Sequence, residues 1–238
     1  MEHLISILAG AIAVIFIFAP HEFAHAFAAY KCGDPTAKMR GRMSLNPVKH
    51  LDPVGYALCV VAGFGWAKPV PINPYNFRKY RKGLFLTAIA GVITNYIIAF
   101  LAYPLFCLAW KYIYIPNEIF LYEQLPLYII VSVLCGSLYY IFAYGLNVVI
   151  FNLLPLFPLD GFRVIEAFTR EINPVRRFLR NNGQMILIIL VLESFACGIL
   201  ASYFPIFEYF DILGYVQYFG TKILGFPITA LWNLIIPV

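Results

Sequence analysis

Residues 21–25 read His-Glu-Phe-Ala-His, two imidazoles four positions apart with a carboxylate directly after the first. On a helix, positions i and i+4 share a face and stand about 6 Å apart along the axis. Two imidazoles so placed can reach one metal ion, and the glutamate between them falls near a water on that ion. His21 and His25 are therefore candidate metal ligands, and Glu22 is a candidate general base. The run that precedes them, Leu4–Pro20, carries no charge and has the character of a lipid-facing helix. A charged group inside a bilayer costs about 2.5 kcal/mol or more and normally marks function. The competing explanation is a polar face buried between helices without metal.

The elements that must position this trio are set by composition. The chain has 238 residues, 62% hydrophobic and 12% charged, whereas soluble domains average about 45–50% apolar and about 25% charged. That surplus exceeds what one water-soluble core of this size can bury, so the expected fold is an all-α polytopic membrane protein. Four segments are long and apolar enough to span, at about 4–30, 84–110, 127–154 and 185–204. A further apolar stretch, 212–238, is interrupted by Lys222 and two prolines, and reads as a fifth span, a re-entrant piece or an interfacial helix. The whole chain, 1–238, is read as one membrane-embedded domain. Met1-Glu2-His3 lacks the positive flank of a signal peptide, so the first span is expected to be mature structure. The five cysteines form no C-x-x-C pair and read as small apolar fillers.

Ten of the 17 basic residues lie between Lys31 and Lys82, and five arginines lie between Arg163 and Arg180. The link between the second and third spans has only Lys111, with Glu118 and Glu123. Basic segments favour the cytoplasmic side, which places the N-terminus outside and runs the first and third spans inward, in the plasma membrane. The net charge of +5 is thus a topology signal and does not point to nucleic acid. The Lys31–Lys82 segment, rich in Gly and Pro, is expected to form loops or a small β element at the membrane surface.

A catalytic zinc takes three protein ligands and keeps one position open, so a third ligand must come from elsewhere. His3 shares the first helix but lies about 27 Å from His21 at 1.5 Å per residue. His50, in the basic loop, reads as a surface or interfacial residue. Depth is the better discriminator. Glu22 lies roughly 12 Å from the cytoplasmic end of its helix. The third span ends on the same side in Asn152-Leu153-Leu154-Pro155-Leu156-Phe157-Pro158-Leu159-Asp160-Gly161. Its two prolines break the helix, and irregular backbone at membrane depth needs protein or a wet cavity around it. Asp160 emerges from this break at a comparable depth, either as a ligand or as the N-cap of the next helix.

Together these residues resemble the site-2 protease family of intramembrane zinc metalloproteases. The resemblance runs through HEFAH at 21–25, Gly33–Lys38, Leu45–Gly55, Gly65–Asn73, Ala90-Gly91 with Asn95, and NLLPLFPLDG at 152–161. It is similar to the compact branch, with no room for a PDZ or CBS module. The resemblance implies that His21, His25 and Asp160 hold one Zn2+ per chain and that Glu22 is the catalytic base. It also implies that Asn152 lies near the substrate and that the Gly63–Pro71 region borders the substrate path.

The implied activity is an intramembrane zinc endopeptidase that cuts transmembrane segments of membrane-protein substrates, for regulated intramembrane proteolysis or clearance of membrane remnants. Glu22 would take the water proton and pass it to the leaving amine. Asn152 would donate to the oxyanion or else bridge the helix break. The substrate would unwind and pair with a strand edge near Gly63–Pro71. Two alternatives stand: another membrane zinc protease whose third ligand is Glu166 or Glu193, and a non-catalytic metal-binding protein or transporter. Glu193 otherwise reads as a paired or neutral hydrogen-bonded carboxyl. Asn95 and Asn147 read as interhelical hydrogen-bonders, and Arg176, Arg177 and Arg180 as topology determinants near anionic lipid. Pro20 is expected to bend the first span or open a local cavity.

Overall fold

Helix α1, Glu2–Cys32, runs through Pro20 without a break. Its buried stripe steps through Ala13, Ile17, His21, His25 and Ala29, positions four apart that overlie one another on a helix. The two histidines therefore continue the line of side chains that packs α1 into the molecule. Gly33 ends the helix at φ +115°, and the Asp34 amide reaches back to the Ala29 carbonyl at 2.9 Å. A Cβ at Gly33 would come within 3.0 Å of the Asn76 carbonyl, so both the conformation and the space require glycine.

The computed structural model describes residues 1–117, 120 and 123–237, so Glu118 lies outside the described residues. After α1 come α2 (Thr36–Met39), α3 (Pro53–Ala62) and α4 (Tyr80–Ala109). Helix α4 continues through a π turn at Trp110–Tyr114 and a 3-10 turn at Ile115–Asn117. Then follow α5 (Leu125–Leu153), α6 (Asp160–Phe168), α7 (Pro174–Ala201) and α8 (Ile212–Ile235). Helix α1, helix α4 with its extension, α5 and α7 are long and apolar enough to cross a membrane. The chain is an all-α integral membrane protein.

Helices α1, α4 and α5 form the centre, each packed on the other two. Ala13, Val14, Ile17 and Phe18 meet Ala102 and Ile141 there. Small residues let the backbones close up: a Cβ on Gly136 would stand 3.1 Å from Ala9, and one on Gly145 3.4 Å from Ala99. Helix α8 lies on this centre through Ile228, which packs with Ala99 and Leu146. Helix α7 is peripheral, with Ile188, Ile189, Leu192 and Phe195 at least half exposed.

Three expectations change. Among the described residues there is no β-strand; the segment between the first two spans contains helix α3 and one antiparallel bridge, Leu51–Ala67. Asp52 caps α3 by accepting from the Val54 and Gly55 amides, and Pro53 occupies its first turn, a combination that starts helices. This segment is not confined to the end of α1. The Tyr56 hydroxyl donates to the Ala11 carbonyl at 3.0 Å, and Leu51, Cys59 and Ala67 pack on the Ala13–Phe18 cluster, alongside the middle of α1. Val54, Leu58 and Val61 face outward along one side of α3.

Second, the fourth span begins at Pro174, not near 185, because Asn173 caps it and its basic first turns are helical; hydropathy marks only the apolar part. Third, residues 212–235 form one continuous helix, which nevertheless falls short of the apolarity of the four spans.

Candidate metal centre

The histidines of α1 meet the start of α6. His21, His25 and Asp160 are 6%, 4% and 6% exposed. The two Nε2 atoms lie 2.9 Å apart, and Asp160 Oδ2 lies 3.4 Å from His21 Nε2 and 3.1 Å from His25 Nε2. Asp160 Oδ2 is buried and accepts no hydrogen bond. Asp160 is the first residue of α6, and its side chain makes no cap, so the capping alternative does not describe it. Its position depends on Gly161, whose Cβ would collide with the Leu153 and Leu154 carbonyls. Glycine lets α6 start directly against the end of α5.

These three atoms could hold a divalent cation. Ligands about 2.0–2.1 Å from a tetrahedral centre stand roughly 3.3 Å from one another, near the size of this triangle. Nitrogen–oxygen donors of this kind suit zinc. The His25 ring has its Nδ1 2.7 Å from the Thr87 carbonyl. A carbonyl only accepts, so Nδ1 carries the proton and Nε2 presents a lone pair toward Asp160. The His25 Nε2 lone pair and the Asp160 carboxylate oxygen, 3.1 Å apart and away from water, are unfavourable neighbours until a cation joins them. Among the described residues, His21, His25 and Asp160 are the one group of three that converges in this way.

Glu22 is 7% exposed, and its Oε2 accepts from the Val70 amide at 2.8 Å. Val70 lies between Pro69 and Pro71, so it carries the lone N–H of that tripeptide. The segment around it is tied from both ends. The Lys68 amide donates to the His50 carbonyl at 2.7 Å, and Arg42 Nη2 donates to the Lys68 carbonyl at 2.7 Å. Further along, the Asn73 amide donates to Asp34 Oδ2 at 2.7 Å. Asp34 is fully buried and also accepts from Asn76 Nδ2 and from the amide and hydroxyl of Thr36. Burial alone would raise the Asp34 carboxyl, but these hydrogen bonds hold it below the usual carboxylate range.

Other residues singled out in the sequence make their hydrogen bonds and ion pairs with partners outside the trio. His50 is fully buried, not superficial: its Nε2 donates to the Ser44 carbonyl at 2.6 Å and pins the loop before α3. Asn152, in the last turn of α5, donates through Nδ2 to the Val148 carbonyl at 3.0 Å. Glu166 pairs with Arg176 at 2.6 Å and with Arg180, and Arg176 is buried. Arg176 therefore joins α7 to α6, and lipid contact does not describe it. Glu193 Oε1 accepts from Cys197 Sγ at 3.5 Å and from the Ile212 amide at 3.4 Å. Neither glutamate joins the histidines.

Asn95 is an interhelical hydrogen-bonder, as expected, and its partner is His21, with Nδ2 3.1 Å from Nδ1. Sequence reading missed the Thr87 carbonyl, the Val70 amide and the packing role of Gly91. A Cβ on Gly91 would stand 2.5 Å from His25 Nε2 and 2.6 Å from His21 Cε1. The four-residue spacing of Thr87, Gly91 and Asn95 was a usable signal for Gly91, whereas backbone groups have no signature in residue type.

The profile of Peptidase family M50 matches residues 129–194, which include Asp160. "Putative zinc metalloprotease YwhC" of Bacillus subtilis is 45% identical over 157 residues, 65% of this chain and 66% of the relative. "Putative zinc metalloprotease Rip2" of Mycolicibacterium smegmatis is 24% identical over 221 residues, 90% of this chain and 76% of the relative. The protein of the same name from Mycobacterium tuberculosis is 25% identical over 201 residues, 82% and 70% of the two chains. The chain thus spans about two thirds of the length of the Bacillus relative. No solved structure is a significant match. The motif on α1, its meeting with Asp160 and these relatives agree: the chain belongs to peptidase family M50, the site-2 protease family of metalloproteases.

Proposed function

We propose that this protein is an intramembrane zinc endopeptidase that hydrolyses peptide bonds in the transmembrane segments of membrane-protein substrates. The supporting observation is the meeting of His21 Nε2, His25 Nε2 and Asp160 Oδ2 beside Glu22, on a helix long and apolar enough to span. His21, His25 and Asp160 hold one zinc per chain. When bound, the ion supplies Lewis acidity, lowering the pKa of a coordinated water to about 7 and polarising a carbonyl.

Glu22 is the general base. It takes a proton from the attacking water and returns it to the leaving amine nitrogen, so its charge is restored when the bond has broken. The Val70 amide holds one carboxylate oxygen at 2.8 Å, which fixes the direction in which the other can work. Asn152 has two Nδ2 hydrogens; one serves the Val148 carbonyl, and the second donates to the oxyanion as it forms. A helical substrate keeps its amides bonded internally, so a transmembrane segment must unwind to be cut. The non-helical segment Gly63–Pro71, which bridges Leu51 through Ala67, would give it a backbone to pair with.

The basic residues between Lys31 and Lys82 and from Arg163 to Arg180 favour an N-terminus outside and an active site towards the cytoplasm, in the plasma membrane. The partners are the lipid bilayer and transmembrane protein substrates, in regulated proteolysis or clearance of membrane remnants. Nucleic acid is not a partner. A glutamate third ligand is disfavoured by the Arg176 and Arg180 pairing of Glu166 and by the Cys197 and Ile212 contacts of Glu193.

The test is cleavage of transmembrane reporters in proteoliposomes, with membrane-fragment proteomics of cells carrying the wild type or Glu22→Gln. Fragments that require Glu22 are expected; equal fragments from both would refute the proposal. Zinc-dependent transport without cleavage would favour a transporter instead.

A further inference from the structure

Helix α4 presents Thr87, Gly91 and Asn95 at four-residue spacing to the two imidazoles of α1. Thr87 supplies a carbonyl to His25, Gly91 leaves room for both rings, and Asn95 meets His21. Helices α1 and α4 pack side by side, and the order of contacts is reversed along them, Thr87 with the later histidine and Asn95 with the earlier. The two rings are thus gripped from one face of one neighbouring helix.

The grip on His25 has one reading, because a carbonyl cannot donate. The grip on His21 has two, because a primary amide offers either a donor or an acceptor. As placed, Asn95 Nδ2 faces His21 Nδ1 at 3.1 Å, while Asn95 Oδ1 is buried without a partner. In that orientation the amide donates to Nδ1, and a neutral His21 must carry its proton on Nε2. That proton would point into the 2.9 Å gap to His25 Nε2 and occupy the His21 atom that lies 3.4 Å from Asp160 Oδ2. Rotating the amide by half a turn exchanges Oδ1 and Nδ2 without moving either helix, and leaves Nδ2 in place of Oδ1 at the unpartnered position. It gives Oδ1 the Nδ1–H as a donor and frees His21 Nε2 as a second lone pair, matching His25.

We propose that Asn95 is a positioning residue for the metal centre, its Oδ1 accepting from His21 Nδ1–H so that Nε2 is the ligating atom. This rests on the reading that His21, His25 and Asp160 hold zinc. Asn95 touches neither substrate nor ion; it fixes the tautomer and the angle of one ring. Three features set it apart from an ordinary interhelical amide. It is fully buried, its oxygen is orphaned, and the polar side chain it meets is a candidate ligand. Partners that orient ligating histidines typically change metal affinity by about 10–100-fold when removed.

The test is zinc affinity of the purified full chain, by competition with chelators of graded strength, for wild type, Asn95→Leu, Asn95→Asp and His21→Ala. Asn95→Leu removes the acceptor and is expected to weaken zinc by about 10–100-fold. Asn95→Asp keeps an acceptor and is expected to stay close to wild type. Equal affinity in wild type and Asn95→Leu, or equal loss in Asn95→Leu and Asn95→Asp, would overturn the inference. Should Asn95→Leu not fold, nitrogen-15 spectra of the histidines in the zinc-loaded wild type decide: Nδ1–H on His21 is expected, and an unprotonated Nδ1 overturns it. A wild type that binds no zinc, or His21→Ala that binds it normally, removes the metal-centre reading itself and is distinguishable from failure at Asn95 alone.

Discussion

The His21 and His25 side chains are 6% and 4% exposed and lie over one another on the stripe that packs α1 against α4 and α5. At this scale the chemistry depends on separate groups with separable losses. Glu22→Gln keeps the hydrogen-bonding shape of the side chain but cannot accept the water proton. We expect bound zinc to be unchanged and cleavage to fall by about 10²–10⁴-fold; metal content and initial rates measured on one preparation check this. Gly91→Ala places a methyl 2.5–2.7 Å from ring atoms of both histidines, closer than any real contact. Zinc should be weakened by about 10-fold or more, and an unchanged chelator competition curve would contradict the packing described. His21, Glu22 and His25 were legible in the sequence because their relation is local to one helix. Depth and the proline break made Asp160 a candidate, and only the family resemblance made it a ligand in preference to an N-cap. Thr87 and Val70 were not, because each acts through its backbone.

Whole elements matter through how they are tied down. The end of α1 is clamped to Asn73 and Asn76 by Asp34, and the intervening Lys68–Asn73 segment delivers the Val70 amide to Glu22. The folded-state pKa of Asp34 lies below its ordinary value of 3.8. Its contribution to stability is therefore present above that value and is lost as pH falls through it toward the lower folded value. Thermal unfolding of the wild type should weaken below about pH 4, while Asp34→Ala starts lower at neutral pH and shows less of that dependence. Parallel pH profiles for the two proteins would argue against the clamp. Gly161→Ala presses a Cβ into the Leu153 and Leu154 carbonyls, an overpacking of about 1–3 kcal/mol. It should also lower zinc occupancy by shifting Asp160, checked by metal analysis of the folded fraction. The helical character of residues 53–62 was hidden from the sequence by the many Gly and Pro residues around it. Asp52-Pro53 is a helix start, but the contact of Tyr56 with Ala11 is tertiary and has no local pattern.

For the whole molecule, hydropathy and charge were enough to anticipate the all-α membrane architecture, because length and apolarity alone define a span. They missed the early start of α7, since Arg176 and Arg180 depress the hydropathy of turns that are helical and paired with Glu166. Cysteines introduced at Arg177 and at Ser202, near opposite ends of α7, should label from the cytoplasmic and the outer side respectively; the reverse pattern would invert the orientation. The reading of the molecule as a membrane metalloprotease depends on one cation held between α1 and α6. Elemental analysis of purified wild type and Asp160→Ala addresses that most directly. One zinc per chain in the wild type and none in the folded variant is the expected result, and equal zinc in both, or cleavage-active wild type without metal, would contradict it.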